Sequence, residues 1–288
     1  MATVTSPIRV PASGAAPRRG WVRRHPLAAF FLLCFGLTWA ALIPAVADSR
    51  GWLPLNMPTW LVLPLAGWGP GLAAFSVAVA TGRGGELLAR VTRWRLGLKW
   101  YALALLGPGA VYAAAVGLNT LLGGTPPEMA GVGQLLPLGV ALILAQSLLT
   151  NGEEIGWRGF LLPRLLERCS PVEASLLVGV VSTAWHLPYF LGVGQPLASG
   201  PLPAFTVFTL AGSVILTWLY RGAGNSVVPA LLLHAANTTW PALLPLGVDE
   251  TRPFELYAGL CALVAGLLVV SRRVPTGGVE PDGGRWAE

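Results

Sequence analysis

The feature that most constrains this chain is a series of long apolar runs. Several of them reach the roughly 20 residues that an α-helix needs to cross a bilayer. Only 11% of the 288 residues are charged, whereas soluble domains carry about 25%. We therefore predict an all-α fold, a polytopic membrane helical bundle with about eight transmembrane helices. The predicted spans are roughly 27–47, 60–81, 99–121, 136–163, 172–192, 204–220, 225–245 and 255–271.

The basic residues indicate how these spans are oriented. If the N-terminus is cytoplasmic and eight spans follow, the outer segments hold only Arg50 and Arg252, and most other basic residues lie inside. This distribution follows the positive-inside rule, which seven or nine spans would break. The net charge of +6 is therefore interpreted as a topology signal. The expected partner is the lipid bilayer, and no nucleic acid is expected.

The localisation follows from the same residues and from the composition. Arg strongly outnumbers Lys, and Ala and Gly are abundant, which suggests a GC-rich bacterial genome. We expect an integral membrane protein of a bacterial cytoplasmic membrane, with the N- and C-termini in the cytoplasm.

One transmembrane domain between two tails is the predicted organisation. Residues 1–24 are rich in Pro, Ala and Arg and are predicted to form a disordered cytoplasmic tail. Residues 25–273 are predicted to form a single transmembrane helical domain, and residues 274–288 a cytoplasmic tail. Residues 45–47 (Ala-Val-Ala) resemble a signal-peptidase site, but the preceding run is long and seven more spans follow. Residues 83–96 fit either an amphipathic segment on the membrane surface or a charged loop.

One predicted span contains three ionisable side chains, Glu153, Glu154 and Arg158. Charged side chains inside a membrane are costly and indicate function by default. On an α-helix Glu154 and Arg158 are four residues apart, so their side chains meet and neutralise each other. Glu153 is rotated by about 100° from Glu154. It is therefore predicted to be the chemically available carboxylate.

Two of the three histidines, His186 and His234, also lie in predicted spans. Glu153 and His186 lie at nearly equal distances along the chain on either side of Ser170. A helical hairpin that turns at Ser170 would place both side chains at one depth. His234 reaches a comparable depth when counted from Arg221 at the cytoplasmic side. The sequence therefore predicts that three ionisable groups converge in one layer.

Two further polar residues follow His234 on its helix face. Asn237 and Thr238 stand at the i+3 and i+4 positions. Asn237 could donate a hydrogen bond to an oxyanion or orient a water molecule. The alternative for each of these residues is a packing role with a hydrogen-bonded neighbour.

Three motifs in this order resemble the CPBP family, the CAAX-protease and bacteriocin-processing membrane proteins also called Abi or Rce1-like. They are residues 153–158 (Glu-Glu-Ile-Gly-Trp-Arg), 182–186 (Ser-Thr-Ala-Trp-His) and 234–237 (His-Ala-Ala-Asn). Residues 93–101 also look like the segment that precedes a span in many members. The resemblance covers roughly residues 90–245.

The chain departs from the family pattern at two positions. Ser182 stands where the family usually has Phe, four residues before its histidine, which would alter packing or substrate fit. The family usually has Asn at the i+4 position after its second histidine. Here Asn237 is at i+3 and Thr238 is at i+4. Thr238 is therefore a second candidate for the role of Asn237.

The resemblance implies an intramembrane endopeptidase that hydrolyses a peptide bond in a membrane-associated protein or peptide. Glu153 would act as the general base, and His186 would position or polarise the water molecule. His234 and Asn237 would stabilise the tetrahedral oxyanion. The expected supporting residues are Glu154, Arg158 and Thr238.

The sequence leaves the participation of a metal open. Glu153, His186 and His234 match a catalytic zinc set with an open fourth position. No His-Glu-x-x-His helix is present, and the family has been described both as metalloproteases and as glutamate proteases. We expect no cofactor, with zinc or another divalent metal as the alternative.

Two other functions fit the same residues. One is a non-catalytic membrane immunity or scaffold protein, and the other is a proton-coupled transporter that uses the Glu/His cluster as a relay. No internal repeat is visible, so the inverted-repeat pattern of transporters is not supported. For a bacterial endopeptidase, small membrane-anchored peptides, bacteriocin precursors or anti-sigma-like proteins are expected substrates.

Overall fold

The structure, a computed structural model, describes residues 20–126, 137–139, 141, 142, 145, 152–192, 200–243 and 251–274. Among these residues it contains helices and no β-strand. The helices are α1 (Trp21–Arg24), α2 (Pro26–Ser49), α3 (Thr59–Ala80), α4 (Gly84–Val91), α5 (Leu98–Leu121), α6 (Gly152–Glu154), a π-helix (Ile155–Leu161), α7 (Leu162–Leu166), α8 (Pro171–Leu191), α9 (Leu202–Gly222), α10 (Val228–Leu243) and α11 (Thr251–Val270).

The predicted all-α membrane bundle is confirmed. Within the described part of the chain, six helices are long and apolar enough to cross a membrane, namely α2, α3, α5, α8, α9 and α11. Each corresponds to one of the eight predicted spans. The predicted span 136–163 lies partly outside the described residues, and the predicted span 225–245 corresponds to α10, which has 16 residues. The count of eight spans therefore stays a prediction.

The helices of the described part of the chain pack around two clusters of buried apolar side chains. α3 packs along α2 and against α6 and the π-helix, while α9 packs against both α8 and α11. α5 packs against α10 and α11. This arrangement brings α6 and the π-helix (residues 152–161, here called the acidic segment) together with α8 and α10, although they are distant in sequence.

The structure describes the two predicted tails only in part. Residues 1–19 and 275–288 of the predicted tails lie outside the described residues, while α1 forms one helical turn within the predicted N-terminal tail.

The predicted amphipathic segment, residues 83–96, contains α4. On this helix Leu87 is buried and the charged Glu86 is exposed, as expected of a helix with one apolar face.

The acidic segment differs from the regular α-helix that the sequence predicts. After Glu154, α6 continues as the π-helix, so the rotation of about 100° per residue does not hold along it. Pro163 lacks an amide hydrogen and cannot satisfy the Gly159 carbonyl four residues earlier. Arg90 Nη1 donates to that carbonyl instead, at 3.2 Å. Stretches of π-helix are rare and often occur at functional sites.

Glycines allow α3 to approach the acidic segment closely. A Cβ atom on Gly71 would lie 2.9 Å from the Gly152 carbonyl oxygen. A Cβ atom on Gly156 would lie 2.5 Å from the Cβ atom of Pro70 and 2.9 Å from its carbonyl oxygen. Small residues at such contacts let membrane helices pack backbone to backbone. This packing fixes the position of the two glutamates.

Gly156→Ala is therefore expected to destabilise the protein by about 1–3 kcal/mol, the usual cost of overpacking. The measurement is the midpoint of thermal unfolding in detergent. Gly117→Ala on α5 is the matched control, because a Cβ atom there meets no atom within 4 Å. Equal midpoints for the two variants would contradict the close contact between Gly156 and Pro70.

Candidate functional site

All the site residues predicted from sequence line one cavity of about 780 Å³. Helices α3, α5, α8, α9, α10 and α11 and the acidic segment form its walls. Most of the lining is apolar and includes several aromatic side chains. The predicted residues that line it are Glu153, Glu154, Arg158, His186, His234, Asn237 and Thr238.

Glu153 and His186 form the first pair in this cavity. Glu153 is buried, and its Oε2 atom lies 3.7 Å from His186 Nε2. That distance is too long for a direct hydrogen bond. It does allow one water oxygen to lie within hydrogen-bond distance of both atoms. The equal depth predicted from the helical hairpin agrees with this contact.

The orientation of His186 is fixed by its surroundings. His186 Nδ1 lies 2.8 Å from the Ser182 carbonyl oxygen. A carbonyl can only accept, so Nδ1 carries a hydrogen, and Nε2 of the neutral ring presents its lone pair to Glu153. The ring also packs edge-on against Trp185 at 4.6 Å and Phe205 at 5.0 Å. These contacts leave the imidazole little freedom to rotate.

Glu154 connects two basic residues. Its Oε2 atom lies 3.0 Å from Arg158 Nη1, as predicted from the four-residue spacing. Its Oε1 atom also lies 3.0 Å from His234 Nδ1. This second contact was not predicted from the sequence, in which the spacing pairs Glu154 with Arg158 alone. Arg158 in turn donates from Nη2 to Ser213 Oγ at 3.2 Å.

The Glu154 contact determines what His234 can do. Because the carboxylate accepts from Nδ1, the other ring nitrogen, Nε2, is left for the cavity. A carboxylate that orients a histidine in this way recurs at hydrolytic sites. Glu154 is therefore linked to the chemistry of the site as well as to the burial of Arg158.

The structure distinguishes Asn237 from Thr238. The Thr238 hydroxyl donates its only hydrogen to the Ala235 carbonyl at 3.0 Å. Asn237 instead accepts at Oδ1 from the Tyr257 hydroxyl of α11, so its amide hydrogens are not used in that bond. The geometry therefore favours Asn237 as a hydrogen-bond donor. Tyr257 was not predicted, because a tyrosine in an apolar helix carries no sequence signal.

The residues proposed for zinc do not form a ligand set in this structure. Glu153, His186 and His234 all belong to the described part of the chain. Within that part, no group of three His, Cys, Asp or Glu side chains is placed to hold one metal ion.

Residues 132–240 match the family model described as type II CAAX prenyl endopeptidase Rce1-like. This segment is an Rce1-like domain. The family resemblance of the motifs is thereby confirmed, and the match lies within the predicted core of residues 90–245. The Rce1-like domain contains every predicted site residue and excludes Tyr257. A comparison with curated proteins found no match.

The Rce1-like domain and the six spanning helices together support an integral membrane protein of the CAAX-protease-like intramembrane endopeptidase class. A protein of this class lies in the lipid bilayer and acts on a membrane-associated peptide substrate.

Proposed function

We propose that the protein hydrolyses a peptide bond of a membrane-associated protein or peptide with a water molecule activated by Glu153. The observation that carries the proposal is the Glu153–His186 pair, two largely buried side chains 3.7 Å apart that line the cavity. The Rce1-like domain supports the reaction class.

In the proposed reaction the water molecule donates one hydrogen to Glu153 and the other to His186 Nε2. Its oxygen attacks the carbonyl carbon as Glu153 takes the proton. The carbon–nitrogen bond then breaks, and Glu153 returns the proton to the departing amine. The products are a new amine and a new carboxylic acid, which loses its remaining proton to solvent on release, and Glu153 regains its starting state.

The oxyanion of the tetrahedral intermediate is proposed to lie between His234 and Asn237. Donors preorganised at such a position supply a large share of catalysis. A protonated His234 donates from Nε2 while Glu154 holds Nδ1. Glu153, Glu154, Arg158 and protonated His234 then sum to zero charge, which limits the cost of burying them.

We propose that the cavity binds an apolar segment of the substrate, because most of its lining is apolar. We propose a reaction without a metal cofactor, with the protein in a bacterial cytoplasmic membrane and both termini cytoplasmic. Small membrane-anchored peptides are the proposed substrates.

The proposal is tested with purified protein in lipid nanodiscs and a library of membrane-anchored fluorogenic peptides, with and without a zinc chelator. We expect cleavage of a subset of peptides, unchanged by the chelator. Cleavage that the chelator abolishes and zinc restores would overturn the metal-independent route. The absence of any cleavage would overturn the endopeptidase. In that case, solute flux driven by a pH gradient would indicate a proton-coupled transporter. The absence of such flux would indicate an immunity or scaffold protein.

A further inference from the structure

The Tyr257 hydroxyl reaches the candidate site from α11, outside the Rce1-like domain. Tyr257 donates to Asn237 Oδ1, and both residues line the cavity. We infer that Tyr257 is a positioning residue, which holds the Asn237 amide with its N–H bonds toward the oxyanion. The inference rests on the proposed endopeptidase function.

The chemistry of the two groups determines the orientation. A phenol has one hydrogen, and here it goes to Oδ1. Because the amide is planar, fixing Oδ1 also fixes Nδ2 on the opposite branch. The flipped amide would place Nδ2 against the phenol and present an acceptor oxygen to the oxyanion. Tyr257 therefore favours the one orientation of Asn237 that stabilises negative charge.

Tyr257 is itself rigidly held. It is 5% exposed, and its ring packs edge-on against Tyr112 with centroids 5.5 Å apart. Phe208 of α9 covers the ring at 5.7 Å. A ring confined on several sides keeps its hydroxyl in place without added entropic cost at the transition state.

The inference is tested by a double-mutant cycle with Tyr257→Phe and Asn237→Ala. Tyr257→Phe should lower kcat about tenfold, as expected for one hydrogen bond. It should leave KM unchanged, because the oxyanion exists only beyond the ground state. Asn237→Ala should lower kcat by about 10²–10³-fold. The double variant should be no slower than Asn237→Ala, since Tyr257 acts only through Asn237.

The matched control is Tyr112→Phe. Tyr112 is a buried tyrosine of the same aromatic cluster, edge-on to Tyr257, and it does not line the cavity. This variant should keep the wild-type kcat. A purely structural role of Tyr257 would give independent, multiplying effects in the double variant. That result, or an unchanged kcat in Tyr257→Phe, would overturn the inference.

Different results would overturn the endopeptidase function and the positioning role of Tyr257. A wild-type protein that cleaves nothing overturns the endopeptidase and the positioning role together. An active wild type with a fully active Tyr257→Phe variant overturns the positioning role alone. An active wild type whose Tyr257→Phe variant shows only a raised KM also overturns it, because Tyr257 would then contribute to substrate binding.

Discussion

Glu153→Gln is expected to lower the rate of peptide cleavage by about 10²–10⁴-fold, the usual contribution of a positioned general base. Glutamine keeps the size of the side chain but cannot take a proton from water. The fold should remain intact, because Glu153 is not part of the Glu154–Arg158 ion pair. The measurement is the initial rate of reporter cleavage, with the thermal unfolding midpoint recorded on the same sample.

The matched control is Glu255→Gln, an identical change on α11 at an exposed position. It should cleave at the wild-type rate. Glu153→Asp provides a second comparison, because it keeps the carboxylate but withdraws it by one methylene. A displacement of about 1 Å can cost about 10²-fold, so partial activity is expected. A Glu153→Gln variant as fast as the wild type would eliminate Glu153 as the base.

Glu154→Gln is expected to have the largest effect on stability, a loss of about 3–5 kcal/mol. Glu154 and Arg158 are 2% and 4% exposed, so the change leaves a buried guanidinium without its counter-charge. His234 also loses the carboxylate that holds Nδ1, so activity should fall as well. The measurements are the yield of folded protein and the unfolding midpoint.

The double variant Glu154→Gln, Arg158→Met separates these two effects. Replacing both members of a buried ion pair is often neutral for stability, so the unfolding midpoint should recover. The cleavage rate should stay low, because His234 still lacks its carboxylate. A double variant with wild-type activity would show that Glu154 serves only to neutralise Arg158. A single Glu154→Gln variant as stable as the wild type would contradict the burial of the pair.

Much of the fold could be predicted because its signals are local. Apolar runs of sufficient length gave the spans of α2, α3 and α5 to within a few residues. The Glu154–Arg158 contact followed from a four-residue spacing, and the shared depth of Glu153 and His186 followed from a hairpin. Each of these inferences needs only nearby sequence and helix geometry.

The remaining features depend on packing between distant segments. Glu154 and His234 are 80 residues apart, and equal depth does not tell which side chains meet. A distant arginine, Arg90, donates to the Gly159 carbonyl that Pro163 cannot satisfy, and no local spacing predicts that contact. The Tyr257 contact joins the last helix to the Rce1-like domain, and no motif marks it. Side-chain partners in this site are decided by tertiary contacts.

The central claim, that Glu153 activates a water molecule which attacks the peptide directly, is tested by a single-turnover reaction in H₂¹⁸O. Enzyme is held in excess over a membrane-anchored peptide, and the products are analysed by mass spectrometry. Direct attack predicts one ¹⁸O atom in the new carboxylate of the product and none in Glu153. An unlabelled product with ¹⁸O in the Glu153 carboxylate would show that Glu153 is itself the nucleophile and would contradict the claim.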